Sequence, residues 1–434
     1  MIGSLLKRLR EEGVETSPTG IYALGTRLAG AAAILVGGTL TLVLLDPESI
    51  GIFLSITALS AFAAVGDLGL TYSLLLAVSS RPPDKAGSVP WAALAAAVPT
   101  APITSIVLFF GGSALLLKGN VDVDRWLWPW MAFCAISGVQ LVLTLALTYV
   151  EGTGRRHAAW RANFWIEIAS GCVFVGLIAL RHELWAIAAA AAVRSILIAL
   201  LLAFHFKLPA RPAAGSRFAL WRQELWPMQW KSLISSVAGL LTTRLLTPIL
   251  LAVQGATAAG QIGLVLVLTY LMTATASVLP LSQTALYASL YHQGRSADLR
   301  QALKRTFIIG MALAMLFFLG VAAACSVIRE YSPYMAARLP ETRVIWLVLA
   351  ITPINHISNF FAIAIRSQRK DPGVIPNLLL TLPSLAIIWL AARNGALAFS
   401  VTYLATTAAV AVLYGILFWR FFRGIRPKSQ ILDA

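Results

Sequence analysis

Acidic residues are scarce in this 434-residue chain, with 18 Asp and Glu against 34 Lys and Arg. Charged residues of both signs reach only 12%, about half the share of an ordinary globular domain. That shortage excludes a water-soluble fold. Cysteine is almost missing: Cys134, Cys172 and Cys325 each lie in apolar sequence, and their spacing fits neither a disulfide framework nor a metal site. The chain also lacks a His-Glu-x-x-His pair, a Gly-Lys-Ser/Thr phosphate loop and a Gly-x-Ser-x-Gly elbow. The expectation is therefore a non-enzyme with no cofactor and no metal, and not a self-contained ATP-driven pump.

Apolar sequence fills the space. Hydrophobic residues make up 59% of the chain and mean hydropathy is +0.79. They fall in blocks long enough to cross a bilayer, which takes about 20 helical residues. The pattern predicts an all-α polytopic membrane protein with twelve spans, at 20–45, 50–79, 88–117, 127–150, 160–180, 184–206, 226–252, 260–290, 306–328, 342–365, 374–392 and 395–420. The first run, Gly20 to Leu45, is too long for a signal-peptide core and reads as a retained span.

Net charge +16 raises nucleic acid as a partner, but the basic residues sit mostly in short loops, which is the positive-inside signature. With both termini in the cytoplasm, 23 of the 34 basic residues fall in inner segments, 7 in outer loops and 4 within spans. The expected location is a bacterial inner membrane. The basic, Pro- and Ala-rich segment 207–225 divides the chain into two expected bundles of six helices, 1–206 and 226–434. An even number of spans returns each half to the same orientation, so the two are expected to be related by a pseudo-two-fold along the membrane normal. Trp126, Trp128 and Trp130, and Trp221, Trp226 and Trp230, are expected to anchor spans 4 and 7 at the interfaces.

The four basic residues inside spans are Arg27, Arg194, Lys231 and Arg244. A cation at mid-membrane costs roughly 2.5–3.5 kcal/mol on insertion scales, so these side chains are expected to meet a polar interior or a partner. Arg194 lies about 15 Å deep, beyond easy snorkelling. It either lines a lumen or pairs with Glu167 or Asp67. Arg244 and Arg27 are shallower lumen candidates, while Lys231 is expected to snorkel. Asp67 and Glu167 either bind a coupling ion or neutralise an arginine. Asn355, His356 and Asn359, near the middle of span 10, are polar enough for solute contact or for interhelical hydrogen bonds. Four buried bases against two buried acids predict a cationic lumen and an anionic solute. Six prolines, Pro99, Pro102, Pro248, Pro280, Pro353 and Pro383, interrupt spans where a moving helix would bend.

Local sequence adds a resemblance. A basic leader precedes a span with an early arginine, then Asp46-Pro47-Glu48-Ser49-Ile50-Gly51, then Ala64-Val65-Gly66-Asp67-Leu68-Gly69-Leu70. With Leu225-Trp226-Pro227-Met228-Gln229-Trp230-Lys231 and Ala258-Ala259-Gly260-Gln261, this resembles the O-antigen flippases, a polysaccharide-biosynthesis branch of the MOP exporter superfamily. The resemblance implies a MATE-like fold that moves an anionic, undecaprenyl-pyrophosphate-linked oligosaccharide by alternating access. Membrane lipid is then a further partner, and functional association with a glycan polymerase or ligase fits the same role. A multidrug exporter of the superfamily is the alternative, for which an acidic lumen is expected. A glycan ligase or polymerase is less well matched, because the longest outer segment, Arg329 to Arg343, leaves little room for an active site.

Overall fold

The computed structural model describes residues 18–79, 89–152, 155–205, 218–366 and 374–423. Among them every regular element is helical. Residues 207–217 of the expected linker lie outside the described residues. The chain divides into two compact units, Met1–Leu240 and Leu241–Ala434, and each is taken by itself.

The first unit contains α1 (Pro18–Leu44), α2 (Pro47–Ser60), α3 (Leu70–Ser79), α4 (Val89–Lys118), α5 (Val123–Gly152), α6 (Arg156–Ala179) and α7 (Glu183–His205). α8 (Trp226–Arg244) runs across the division. The second unit continues with α9 (Leu246–Gln254), α10 (Ala256–Ala276), α11 (Val278–Ser282), α12 (Thr284–His292), α13 (Ser296–Tyr331), α14 (Pro333–Ala336), α15 (Thr342–Leu349), α16 (Ile351–Arg366), α17 (Val374–Ala392) and α18 (Ala396–Arg423).

Each of the twelve expected spans is occupied by an apolar helix. Among the described residues nine are long and apolar enough to cross by themselves. A tenth is the pair Val237–Arg244 and Leu246–Gln254, bent by 43°, and Leu28–Leu44 and Leu378–Ala392 are shorter apolar helices. The surface suits lipid rather than water, since Phe110, Val107, Leu316 and Val412 are all well exposed.

Three breaks have one cause. α8 ends at Arg244, α10 at Ala276 and α15 at Leu349, in each case four residues before a proline: Pro248, Pro280 and Pro353. A proline ring clashes with the carbonyl four residues back and removes a hydrogen bond, at a cost of about 3 kcal/mol in a continuous helix. Pro99, Pro102 and Pro383 do not have this effect, because they sit inside unbroken helices.

Span 2 breaks without proline. α2 passes into a 3-10 segment, Ala61–Asp67, and the chain then turns through Leu68 (φ 51°) and Gly69 (φ 77°) before α3 begins. Gly66 lets this segment approach α4 closely, since a Cβ there would lie 2.3 Å from Thr104 Cγ2. The first unit is otherwise built from α1 on α6, α6 on α7, α7 on α5 and α5 on α4.

The tryptophans depart from the expected belt. Trp126 and Trp130 are fully buried, and only Trp128 of that group is exposed. Positions 126 and 130 share a helix face that turns inward. There Trp130 Nε1 donates to the Phe109 carbonyl and the ring occupies the space that Gly112 leaves open.

Candidate functional site: a charged cavity in the first unit

α1, α2, α5, α6 and α7 enclose a cavity of about 600 Å³. Among the described residues three charged side chains line it: Asp67, Glu167 and Arg194. Glu167 and Arg194 each stand eleven residues into their helices, about 16 Å along the axis. Depth that was read from sequence thus becomes proximity. Arg194 Nη1 donates to Glu167 Oε2 at 2.6 Å. The pair is not sealed: the two side chains keep 33% and 23% of their surface, facing the cavity. Arg194 thus pairs with Glu167 and also lines this cavity.

α1 is shaped to admit this pair. A Cβ at Gly30 would lie 3.1 Å from Glu167 Oε1, so only glycine lets α1 approach the carboxylate without displacing it. The α1 residue one turn earlier is Arg27, whose side chain lies outside the described residues, as does that of Lys231.

Asp67 has a local role as well as a place on the cavity wall. Its carboxylate accepts hydrogen bonds from the backbone N–H of Gly69 at 2.7 Å and of Thr71 at 3.3 Å. It thereby satisfies donors that the broken helix would otherwise leave open, and a negative charge is favoured at the start of α3. Thr57, Ser60, Ser137, Gln140 and Thr144 add polar groups to a lining that is otherwise largely apolar. None of these five was singled out from sequence, although Ser137, Gln140 and Thr144 recur at the helical spacing that places residues on one face.

Two carboxylates and one guanidinium give the described lining a formal charge of minus one. Within it Glu167 neutralises Arg194 and Asp67 adds a negative charge.

The remaining candidates belong to the second unit. Arg244, at the end of α8, stacks its guanidinium over the Tyr270 ring at 4.0 Å, a cation–π contact that stabilises the charge without a carboxylate. Asn355 hydrogen-bonds Tyr403. His356 has no exposed surface and packs on Gly310, where a Cβ would come within 2.4 Å of its ring. It is part of the helix packing and lines no described cavity. Asn359 is exposed. His356 thus points about 100° away from its neighbour Asn355, whereas Asn355 and Asn359, four apart, share a face of α16 at different depths of burial.

No known protein family matches the sequence, and no curated protein matches it. Solved structures do match. An inward-facing multidrug resistance MATE family transporter of the MOP superfamily aligns with TM-score 0.65 at 12% identity, over 93% of this chain and 95% of the other. A MOP superfamily transporter from Pyrococcus furiosus, described as having a binding pocket of reverse polarity that suggests a different function, aligns with TM-score 0.54 at 12% identity, over 94% and 96%. A MATE in complex with MaL6 aligns with TM-score 0.55 at 12% identity, over 94% and 97%. The chain has the fold of the MATE transporters of the MOP superfamily.

Proposed function

We propose that the chain is a secondary transporter that exports a small molecule by alternating access, with the cavity of the first unit on the transport path. The observation that carries this reading is the Glu167–Arg194 pair, partly open to a cavity inside a membrane fold. Ionisable groups within membrane spans mark solute and ion pathways. A proton or sodium ion that takes the Glu167 carboxylate competes with Arg194 for it. Cation binding then releases the guanidinium, and release of the cation restores the pair. Asp67, at the break of span 2, is the second carboxylate of this coupling arrangement. The fold likeness favours the multidrug or small-molecule exporter over a carrier of anions.

A second reading keeps the anionic lipid-linked oligosaccharide, and Arg194 favours it. When a cation occupies Glu167, Arg194 becomes a bidentate donor suited to a pyrophosphate. The two halves, 1–206 and 226–434, are then six-helix bundles related by an axis along the membrane normal, with both termini in the cytoplasm of a bacterial inner membrane.

One pair of assays tests both readings. Proteoliposomes containing the whole chain are loaded with ethidium and given an inward proton or sodium gradient. A strain lacking its own oligosaccharide flippase is complemented in parallel and scored for surface glycan. Gradient-driven ethidium efflux supports the exporter. Restored surface glycan without efflux replaces it with the second reading. Neither activity in a folded, reconstituted protein would overturn the proposal.

A further inference from the structure

A second concave feature lies wholly within the second unit, where α13 begins and α16 and α18 finish. Its volume is about 400 Å³. Phe307, Phe361, Phe418 and Phe422 wall it, with Arg300 and Lys304 at the same groove. The rings form a continuous stack. Phe307 and Phe361 are nearly parallel at 6.1 Å, Phe361 and Phe418 lie 4.6 Å apart, and Phe418 and Phe422 lie 4.3 Å apart. Buried Tyr287, Leu303 and Phe360 back this wall.

Two features separate the groove from ordinary lipid-facing surface. The first is charge. Arg300 and Lys304 are one turn apart on α13 and exposed, and among the described residues neither has an ion-pair partner, whereas nearby Arg295 is bonded to Asp298. The second is polarity along the groove. Arg300 and Lys304 lead inward to Phe307, about 10 Å further along the axis from Arg300, so a charged mouth continues into an aromatic wall. Exposed Trp419 also lines it, the residue type that favours the headgroup level. A soluble anion would use only the mouth, and an ordinary acyl chain only the wall.

By the distribution of basic residues this is the cytoplasmic end, where the leaflet carries anionic lipid and basic pockets between helices hold phosphate headgroups. We infer that the groove binds an anionic glycerophospholipid of the cytoplasmic leaflet, with its phosphate on Arg300 and Lys304 and an acyl chain along the phenylalanine wall. The site lies wholly within the second unit and requires no transported solute.

The test uses the whole solubilised chain, equilibrated with equal amounts of phosphatidylglycerol and phosphatidylcholine, with retained lipid read by native mass spectrometry. Each basic residue near an anionic surface contributes about 1 kcal/mol, so the wild type should prefer phosphatidylglycerol roughly tenfold or more. R300A/K304A should fall to near parity, while R300K/K304R and the distant R329A/R343A keep the preference. Equal retention by the wild type, or an unchanged preference in R300A/K304A, would overturn the inference. So would loss of the preference on adding millimolar inorganic phosphate, which would identify a free anion as the occupant. If R300A/K304A unfolds, quenching by acyl-brominated phosphatidylglycerol decides the matter with both cations in place. The fluorescence lost on W419F substitution should be quenched more strongly than by brominated phosphatidylcholine, and equal quenching would refute the site.

Discussion

Arg194 Nη1 lies 2.6 Å from Glu167 Oε2, and the two residues sit at matching depth on neighbouring helices, α7 and α6. A wholly buried pair would be locked by desolvation, and a surface pair would be worth almost nothing. This one borders a cavity and lies between those limits, as a pair that must open and close requires.

Removing one partner strands the other. Breaking a buried pair costs about 3–5 kcal/mol and an exposed one about 0–1 kcal/mol, so R194A should lose roughly 1–3 kcal/mol. E167Q/R194A should recover most of that loss. Thermal unfolding of the four proteins in one detergent reads the cycle, and additive losses would show that the two side chains are uncoupled.

Asp67 separates capping from ion handling. D67A removes both bonds to the backbone of α3, and loss of a cap costs about 1 kcal/mol. D67N retains one acceptor oxygen, enough for the shorter bond from Gly69, gives up the weaker one from Thr71, and has no charge. The expected outcome is near-normal stability for D67N together with loss of gradient-driven efflux. Full efflux by D67N would reduce Asp67 to a cap.

Gly66 tests the close approach of span 2 to α4. A methyl at this position meets Thr104 Cγ2 at 2.3 Å, and overpacking typically costs 1–3 kcal/mol. G66A should therefore unfold earlier than wild type, and T104S, which deletes that methyl, should restore part of the loss. G66A as stable as wild type would mean that the two segments do not meet in this way.

A polar clasp joins three segments at the expected outer end of the first unit. Arg125 donates to Ser49 Oγ, and Ser49 donates to Asp46 through its hydroxyl and its backbone N–H. Glu183 lies 3.9 Å from Arg125. Burial raises the Asp46 pKa, but the Ser49 hydrogen bonds and the Arg125 charge outweigh it, leaving the carboxyl below its ordinary value. A lowered pKa means that the clasp contributes fully above the ordinary Asp range, near 4, and is lost as pH falls through the lowered value. D46N should therefore show a shallower decline of melting temperature with acidification. An unchanged acid profile would remove Asp46 from the clasp.

The spans were legible because apolar length alone marks a membrane helix. Residue depth was legible for the same reason, and it put Arg194 and Glu167 level with each other. Their pairing was one of the alternatives, and the sequence could not choose Glu167 over Asp67 because that depends on which faces α6 and α7 turn together. The breaks at Pro248, Pro280 and Pro353 could be anticipated as interruptions. The unbroken helices around Pro99, Pro102 and Pro383 could not be distinguished from them by composition. Counting bases against acids across the chain could not show where each charge is spent: Arg244 stacks on Tyr270, and Glu167 pairs with Arg194. Ser137, Gln140 and Thr144 carried a readable helical spacing that hydroxyls and a lone amide among apolar residues easily conceal.

The central claim is that solute passes through the cavity of the first unit, and blocking that cavity tests it most directly. In a background lacking Cys134, Cys172 and Cys325, cysteine is placed at Thr144, which lines the cavity, or at Val139, which is exposed on the same helix and does not line it. Both proteins are treated with a bulky maleimide, and ethidium efflux is measured at matched labelling. The account predicts that modified T144C loses efflux while modified V139C retains it. Equal efflux from the two labelled proteins would contradict it.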